Sequence, residues 1–194
     1  MTDIIIVGVG GQGVVLAGHL IANAATLEGY HVRVGESRGL AKRGGSVRCD
    51  IRLTHNRYVS PLIPERGADL LLAFEPGEAL RYAAYVKPDG WILVLWEPRP
   101  SPALLPDLKH GRLRYPSEEE LRQSLIQFTH NVRIVRVPHK LRRFSNTFLL
   151  GLALGVGALP LKVESIQTAI QRIVPRAIEQ NLEALQAGLA AAQA

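Results

Sequence analysis

The amino-acid sequence predicts an α/β fold of three layers, with a mainly parallel sheet and a helical C-terminal segment. Three observations predict it. Short apolar runs without polar alternation, at 4–7, 70–74 and 91–96, mark strands covered on both faces. Stretches such as 14–28 carry an apolar stripe at helical spacing. Beyond Val137 the strand patterns stop and helical ones continue. The 194 residues are 47% hydrophobic and 21% charged, a globular composition that excludes disordered and fibrous chains. Residues 1–140 read as an α/β core and 145–194 as the C-terminal helices of one domain.

Each element has a local reason. Ile4-Ile5-Ile6-Val7 is a β-branched strand stopped by Gly8-Val9-Gly10-Gly11-Gln12-Gly13. A helix follows over 14–28, with Gly29 placed as its left-handed cap, and 31–36 reads as the second strand of a βαβ unit. Val47, Cys49, Ile51 and Leu53 alternate with Arg48, Asp50 and Arg52, so one face is buried and the other is wet or covered by a partner. Tyr58 to Ile63 reads as a returning strand. Pro76 opens a short helix to about Tyr85, and Pro88-Asp89-Gly90 reads as a turn. Pro98 to Pro106 is an extended loop, offered with the alternating face as a docking surface. Ser117 and Glu120 spell a capping box for a helix to about Thr129, and 132–137 is the last strand. Ser145 or Asn146 caps an apolar helix to Gly157, too short for a membrane span, and the tail from Val163 is helical with Pro175 opening a second segment.

Gly8, Gly10 and Gly13 satisfy GxGxxG between a strand and a helix, with Gly11 and Gln12 inside the turn. Such a turn permits close backbone approach and turns helix N–H groups toward an anion. One reading is a stand-alone Rossmann protein binding NAD(P) or FAD, with Glu36 as the ribose acid; the other is that the glycines only allow close packing. The next loop carries Arg38, Lys42, Arg43, Gly44, Gly45 and Ser46, which have no place in a dinucleotide fingerprint. Guanidinium, ammonium and glycine amides there suit phosphate or an acidic surface.

The net charge is +6, with basic residues concentrated at 33–57, 109–114 and 133–143. Aromatic residues are not interleaved with the first cluster, which weighs against a nucleic-acid binder. Cys49 is the single cysteine, which excludes an internal disulfide, a CxxC pair and a cysteine-ligated cluster; it reads as a small core residue. His19 and His139 have no spaced partners for a metal, and Glu75 and Glu78 read as helix-dipole partners. Met1-Thr2-Asp3 enters the first strand with no basic leader, so a cytoplasmic protein is expected.

The turn GVGGQG, then ESRGLAKRGGSVRCDIRL and SPLIPERGADLLLAFEPGEALRY, resembles the gamma-type subunits of 2-oxoacid:ferredoxin oxidoreductases. Within that group the indolepyruvate:ferredoxin enzymes are most similar, and NTFLLGLALGVGALPL and VPRAIEQNLEAL in the tail share the likeness. The resemblance implies a Rossmann-like subunit with no catalytic residues and no metal of its own. It implies a larger partner subunit holding thiamine diphosphate, Mg²⁺ and iron–sulfur clusters, with ferredoxin as electron acceptor. It also implies that a 2-oxoacid, indolepyruvate or another arylpyruvate, and coenzyme A become acyl-CoA and CO2, and that this chain has a part in coenzyme A access. Gly8, Gly10, Gly11, Gln12 and Gly13 match the glycine turn of such subunits. Arg38, Lys42, Arg43, Gly44, Gly45 and Ser46 are the candidates for coenzyme A phosphates or the partner interface. Neither nucleic acid nor a membrane is an expected partner.

Overall fold

The computed structural model describes residues 1–39, 44–55, 59–100, 102 and 105–193, with the side chain of Arg38 excepted. The strands are β1 (Thr2–Val9), β2 (His31–Arg38), β3 (Ser46–Thr54), β4 (Ala68–Ala73), β5 (Val86–Leu95) and β6 (Asn131–Val135). The helices are α1 (Val14–Leu27), α2 (Pro76–Tyr82), α3 (Leu105–Lys109), α4 (Glu118–Leu125), α5 (Ser145–Gly155), α6 (Val163–Ile173) and α7 (Ile178–Ala191). The strands form one sheet in the order β2-β3-β1-β4-β5-β6. β1, β4, β5 and β6 run parallel, and β3 is antiparallel to both β1 and β2.

Alternation of the central strands divides the core in two. Ile4, Ile6, Leu70, Leu72 and Leu93 pack with α1, α5, α6 and α7 on one side. Ile5, Val7, Leu71, Ala73, Ile92 and Val94 pack with α2 and α4 on the other. The three layers follow, because a strand buried on both faces needs helices on both. Gly29 closes α1 in the left-handed conformation at φ 83°, and Ser117 and Glu120 form the complete capping box of α4.

β3 lies between β1 and β2, so the first βαβ unit keeps its parallel sense while its two strands are not neighbours. The polar face of β3 is covered by the chain itself and is no docking surface. Arg52 pairs with Asp3 at 2.9 Å, Arg48 pairs with Asp50 at 2.9 Å, and the Arg48 guanidinium lies 4.2 Å from the Tyr85 ring centre. Burial raises the Asp50 carboxyl above its ordinary range against the opposing pull of Arg48.

Several local expectations are corrected. Residues 59–63 form no strand: Arg52 Nη1 and Arg48 Nη2 donate to the carbonyls of Ser60 and Ile63, holding the segment by side chains instead of a ladder. Tyr58 lies outside the described residues. Pro88-Asp89-Gly90 belongs to β5, where a register shift between Ala68 and Leu70 of β4 absorbs the extra residues. The proline-rich loop ends in the helical turn α3, and α4 stops at Leu125. α5 has no side-chain cap, because a 3-10 turn over His139–Phe144 feeds into it, and Pro175 lies in the link before α7.

Candidate functional site

β1 and β4 are adjacent and parallel, yet α1 packs on one face of the sheet and α2 on the other. The chain therefore turns in opposite directions from their carboxyl ends and leaves a crevice there, where open α/β sheets bind ligands. The glycine turn occupies this position. Gln12 is 8% exposed and points back into the crevice: its Oε1 accepts from the Val9 amide at 2.8 Å, and its Nε2 donates to the Phe74 carbonyl at 2.7 Å. A Cβ at Gly8 would lie 2.9 Å from Gln12 Oε1, and one at Gly13 would lie 2.8 Å from Asn146 Nδ2. Gly13 also stands at φ 80° as the N-cap of α1. These two glycines make room for the protein's own amide side chains, and Gln12 ties the ends of β1 and β4 together.

The candidate residues of the following loop divide between described and undescribed positions. The Gly10 amide donates to the Gly45 carbonyl at 2.8 Å, joining the glycine turn to the loop before β3. Gly44 is left-handed at φ 71°, and Ser46 donates through Oγ to Glu78. Lys42 and Arg43 lie outside the described residues, as does the side chain of Arg38. Glu36 sits on β2 with β3 between it and β1, about 10 Å from the glycine strand by sheet spacing, and pairs with His19 at 3.4 Å. A ribose acid in a dinucleotide fold occupies the strand next to the turn, so this geometry favours packing over dinucleotide binding.

Outside the turn lies a cleft of about 460 Å³ walled by Gly11, Gln12, Glu97, Arg99, Arg142, Arg143 and Ser145. Three guanidinium groups from two distant segments meet here, after β5 and before α5. Arg99 pairs with Glu97 at 2.7 Å, whereas Arg142 and Arg143 have no ion-pair partner among the described residues. Glu97 and Arg142 also border a smaller pocket of about 60 Å³ containing Trp96, whose ring lies 5.6 Å from the Arg136 guanidinium. Cationic arms beside an aromatic wall can hold a phosphorylated molecule that carries a planar ring. A second cleft of about 420 Å³, lined by Arg66, Phe128 and His130 among others, opens at the amino ends of β5 and β6, away from the crevice.

The sequence placed Arg142 and Arg143 in a basic cluster but gave no sign that they meet Gly11. It also left Glu75 and Glu78 as dipole partners. Glu75 does cap α2, accepting from the Glu78 amide at 2.9 Å, but its other oxygen accepts from the Arg99 amide at 3.1 Å and from the Tyr115 hydroxyl. Both carboxylates are buried, and Glu78 binds Ser46 and Arg81. Among the described residues, no cluster of three or more His, Cys, Asp or Glu could hold a metal ion, and no helix is long and apolar enough to cross a membrane.

Residues 3–191 match the family profile described as pyruvate ferredoxin/flavodoxin oxidoreductase. The chain belongs to that family. It is 35% identical over 198 residues to indolepyruvate oxidoreductase subunit IorB of Pyrococcus horikoshii, covering 98% of this chain and 96% of the relative. It is 34% identical over 192 residues to the Archaeoglobus fulgidus protein of the same name, covering 96% and 92%. Among solved structures it resembles the gamma subunit of a Geobacter sulfurreducens keto/oxoacid ferredoxin oxidoreductase, at TM-score 0.66 and 22% identity, with 100% and 99% coverage. It also resembles pyruvate oxidoreductase subunit PORC of Thermotoga maritima, at TM-score 0.68 and 21% identity, with 97% and 95% coverage. These two likenesses establish the shared fold. In this member of the pyruvate ferredoxin/flavodoxin oxidoreductase family, the motifs GVGGQG and RGGSV meet through the Gly10–Gly45 hydrogen bond.

Proposed function

We propose that the chain is the small, gamma-type subunit of a 2-oxoacid:ferredoxin oxidoreductase acting on indolepyruvate or another arylpyruvate, and that its cationic cleft receives coenzyme A. The near-full-length identity to IorB proteins carries the reading. In the balanced reaction, 2-oxoacid, coenzyme A and two oxidised ferredoxins give acyl-CoA, CO2, two reduced ferredoxins and a proton. The carboxyl C–C bond breaks, a thioester C–S bond forms, and two electrons leave to the iron–sulfur acceptor. One cysteine cannot bind a four-thiolate cluster, and the sequence has no Gly-Asp-Gly with a downstream Asn for Mg²⁺ and diphosphate. These groups belong to a larger partner subunit in this reading; thiamine diphosphate there supplies the decarboxylation chemistry and the clusters supply the electron path.

This chain's contribution is binding and orientation. Arg142 and Arg143, with Arg99 opposite, suit the phosphates, and Trp96 supports the adenine end. Arg38, Lys42, Arg43 and the Gly44-Gly45-Ser46 amides remain candidates for the coenzyme A phosphates or the partner interface, and the Gly10–Gly45 hydrogen bond joins Gly45 to the glycine turn. The whole chain acts as one gamma-type domain within a cytoplasmic complex.

Co-expression with the larger subunit tests the reading. Arylpyruvate- and coenzyme A-dependent reduction of ferredoxin or a dye is expected only when both chains are present. Arg142→Ala and Arg143→Ala are each expected to raise KM for coenzyme A roughly fivefold, about 1 kcal/mol for an exposed guanidinium–phosphate contact. Full activity from the partner alone, or NAD(P) binding by this chain in the micromolar range, would overturn the proposal.

A further inference from the structure

We infer that Glu75 and Tyr115 form a latch that positions the Arg99 wall of the cleft for its anionic substrate. The inference rests on the proposed use of that cleft. Arg99 follows β5 on a loop containing Pro98, Pro100 and Pro102, and Tyr115 stands at the far end of the same excursion, between α3 and α4. Proline leaves few backbone donors in this loop, so side chains must fix it to the sheet.

Glu75 does so from the end of β4. Its carboxylate, 3% exposed, accepts the Arg99 amide, 24 residues away, and the Tyr115 hydroxyl, 40 residues away. The phenol oxygen in turn accepts from the Gly77 amide at 3.0 Å, in the first turn of α2. Burial first, and the hydrogen bond to Glu75 second, push the Tyr115 phenol well above its ordinary range, so it remains a donor at every physiological pH. With Arg99 bonded through its side chain to Glu97, backbone and guanidinium are both held before ligand arrives. Pre-ordering a charged side chain removes part of the entropy cost of binding.

A helix cap alone would need only the bond to the Glu78 amide. The bonds to Arg99 and Tyr115 are additional, and Tyr115→Phe removes the phenol's share while sparing the cap. In the two-subunit enzyme, Tyr115→Phe is expected to raise KM for coenzyme A about fivefold while kcat and KM for the 2-oxoacid hold. Hydrogen exchange at the Arg99 amide should accelerate in the same variant. Glu75→Gln, which keeps one acceptor oxygen, should lie between the parent and Glu75→Ala in both measurements.

Unchanged KM for coenzyme A in Tyr115→Phe, with KM raised in Arg143→Ala, refutes the latch and leaves the cleft assignment standing. Unchanged KM in both Arg142→Ala and Arg143→Ala refutes the cleft assignment and the substrate-positioning role with it. Equal rises in KM for both substrates would mark a general loss of structure and likewise overturn the inference.

Discussion

Replacing Gln12 by leucine removes the bridge between β1 and β4 without changing the glycines around it. The Val9 amide and the Phe74 carbonyl then lose the only partners they have in that side chain, at a site 8% exposed. A buried polar group left unpaired costs about 1–3 kcal/mol, so two of them, less the gain from burying an apolar side chain, amount to about 3 kcal/mol. For a chain of this size that corresponds to a fall of about 6–12 °C in Tm. Gln12→Glu gives a sharper test. As a neutral acid it can accept from Val9 and donate to Phe74; as a carboxylate it sets an anionic oxygen against the Phe74 carbonyl. Its folded pKa is therefore raised above the free glutamate value of about 4.3. The stability it retains is fully present below that value and is lost as pH rises through the raised one. Urea unfolding of the full chain at about pH 4 and about pH 8, followed by circular dichroism, should show Gln12→Glu close to the parent at the lower pH and weaker at the higher. A Gln12→Leu chain within 1 kcal/mol of the parent, or a Gln12→Glu chain indifferent to pH, would show that glycine conformation alone holds the turn.

Gly188→Ala should destabilise the chain, because the added Cβ would lie 2.0 Å from the Phe148 carbonyl oxygen and force α5 and α7 apart. Overpacking of about 3 kcal/mol outweighs the roughly 1 kcal/mol that alanine adds to helix propensity, and a fall of about 4–8 °C in Tm is the readout. Parent-like stability would show that the close crossing is dispensable. Glu120 is held at a pKa of about 2, first by the Arg114 guanidinium and then by the Ser117 amide and hydroxyl. A depressed folded value contributes stability above about 4.3 that is lost as pH falls toward 2, so Glu120→Gln should flatten the acid-unfolding curve in that window. Side-chain carboxyl NMR checks it directly, and a midpoint near 4.3 for Glu120 would exclude the pairing.

Local chemistry was legible wherever one segment carried the whole signal. The β-branched run before Gly8, the left-handed Gly29 after α1 and the Ser117–Glu120 box all depend on residues within a turn or two of each other. Pro88-Asp89-Gly90 misled because turn propensity was overruled by pairing of β5 with β4, and residues 59–63 misled because both edges of the preceding strand, β3, are taken by β1 and β2. The alternation of β3 announced a half-polar strand, yet only its place beside β1 turned Asp3 and Arg52 into a buried pair.

The sequence by itself determined the layered α/β class, the family and the glycine turn, since each is written in contiguous residues or in a pair of motifs. Tertiary structure decided what the turn encloses and what lines its mouth. Gln12 reaching Phe74, Glu75 reaching Arg99 and Tyr115, and Arg142 and Arg143 arriving beside Gly11 all depend on strand order. Strand order is set by which faces the helices cover, a global packing outcome that no short window of residues encodes.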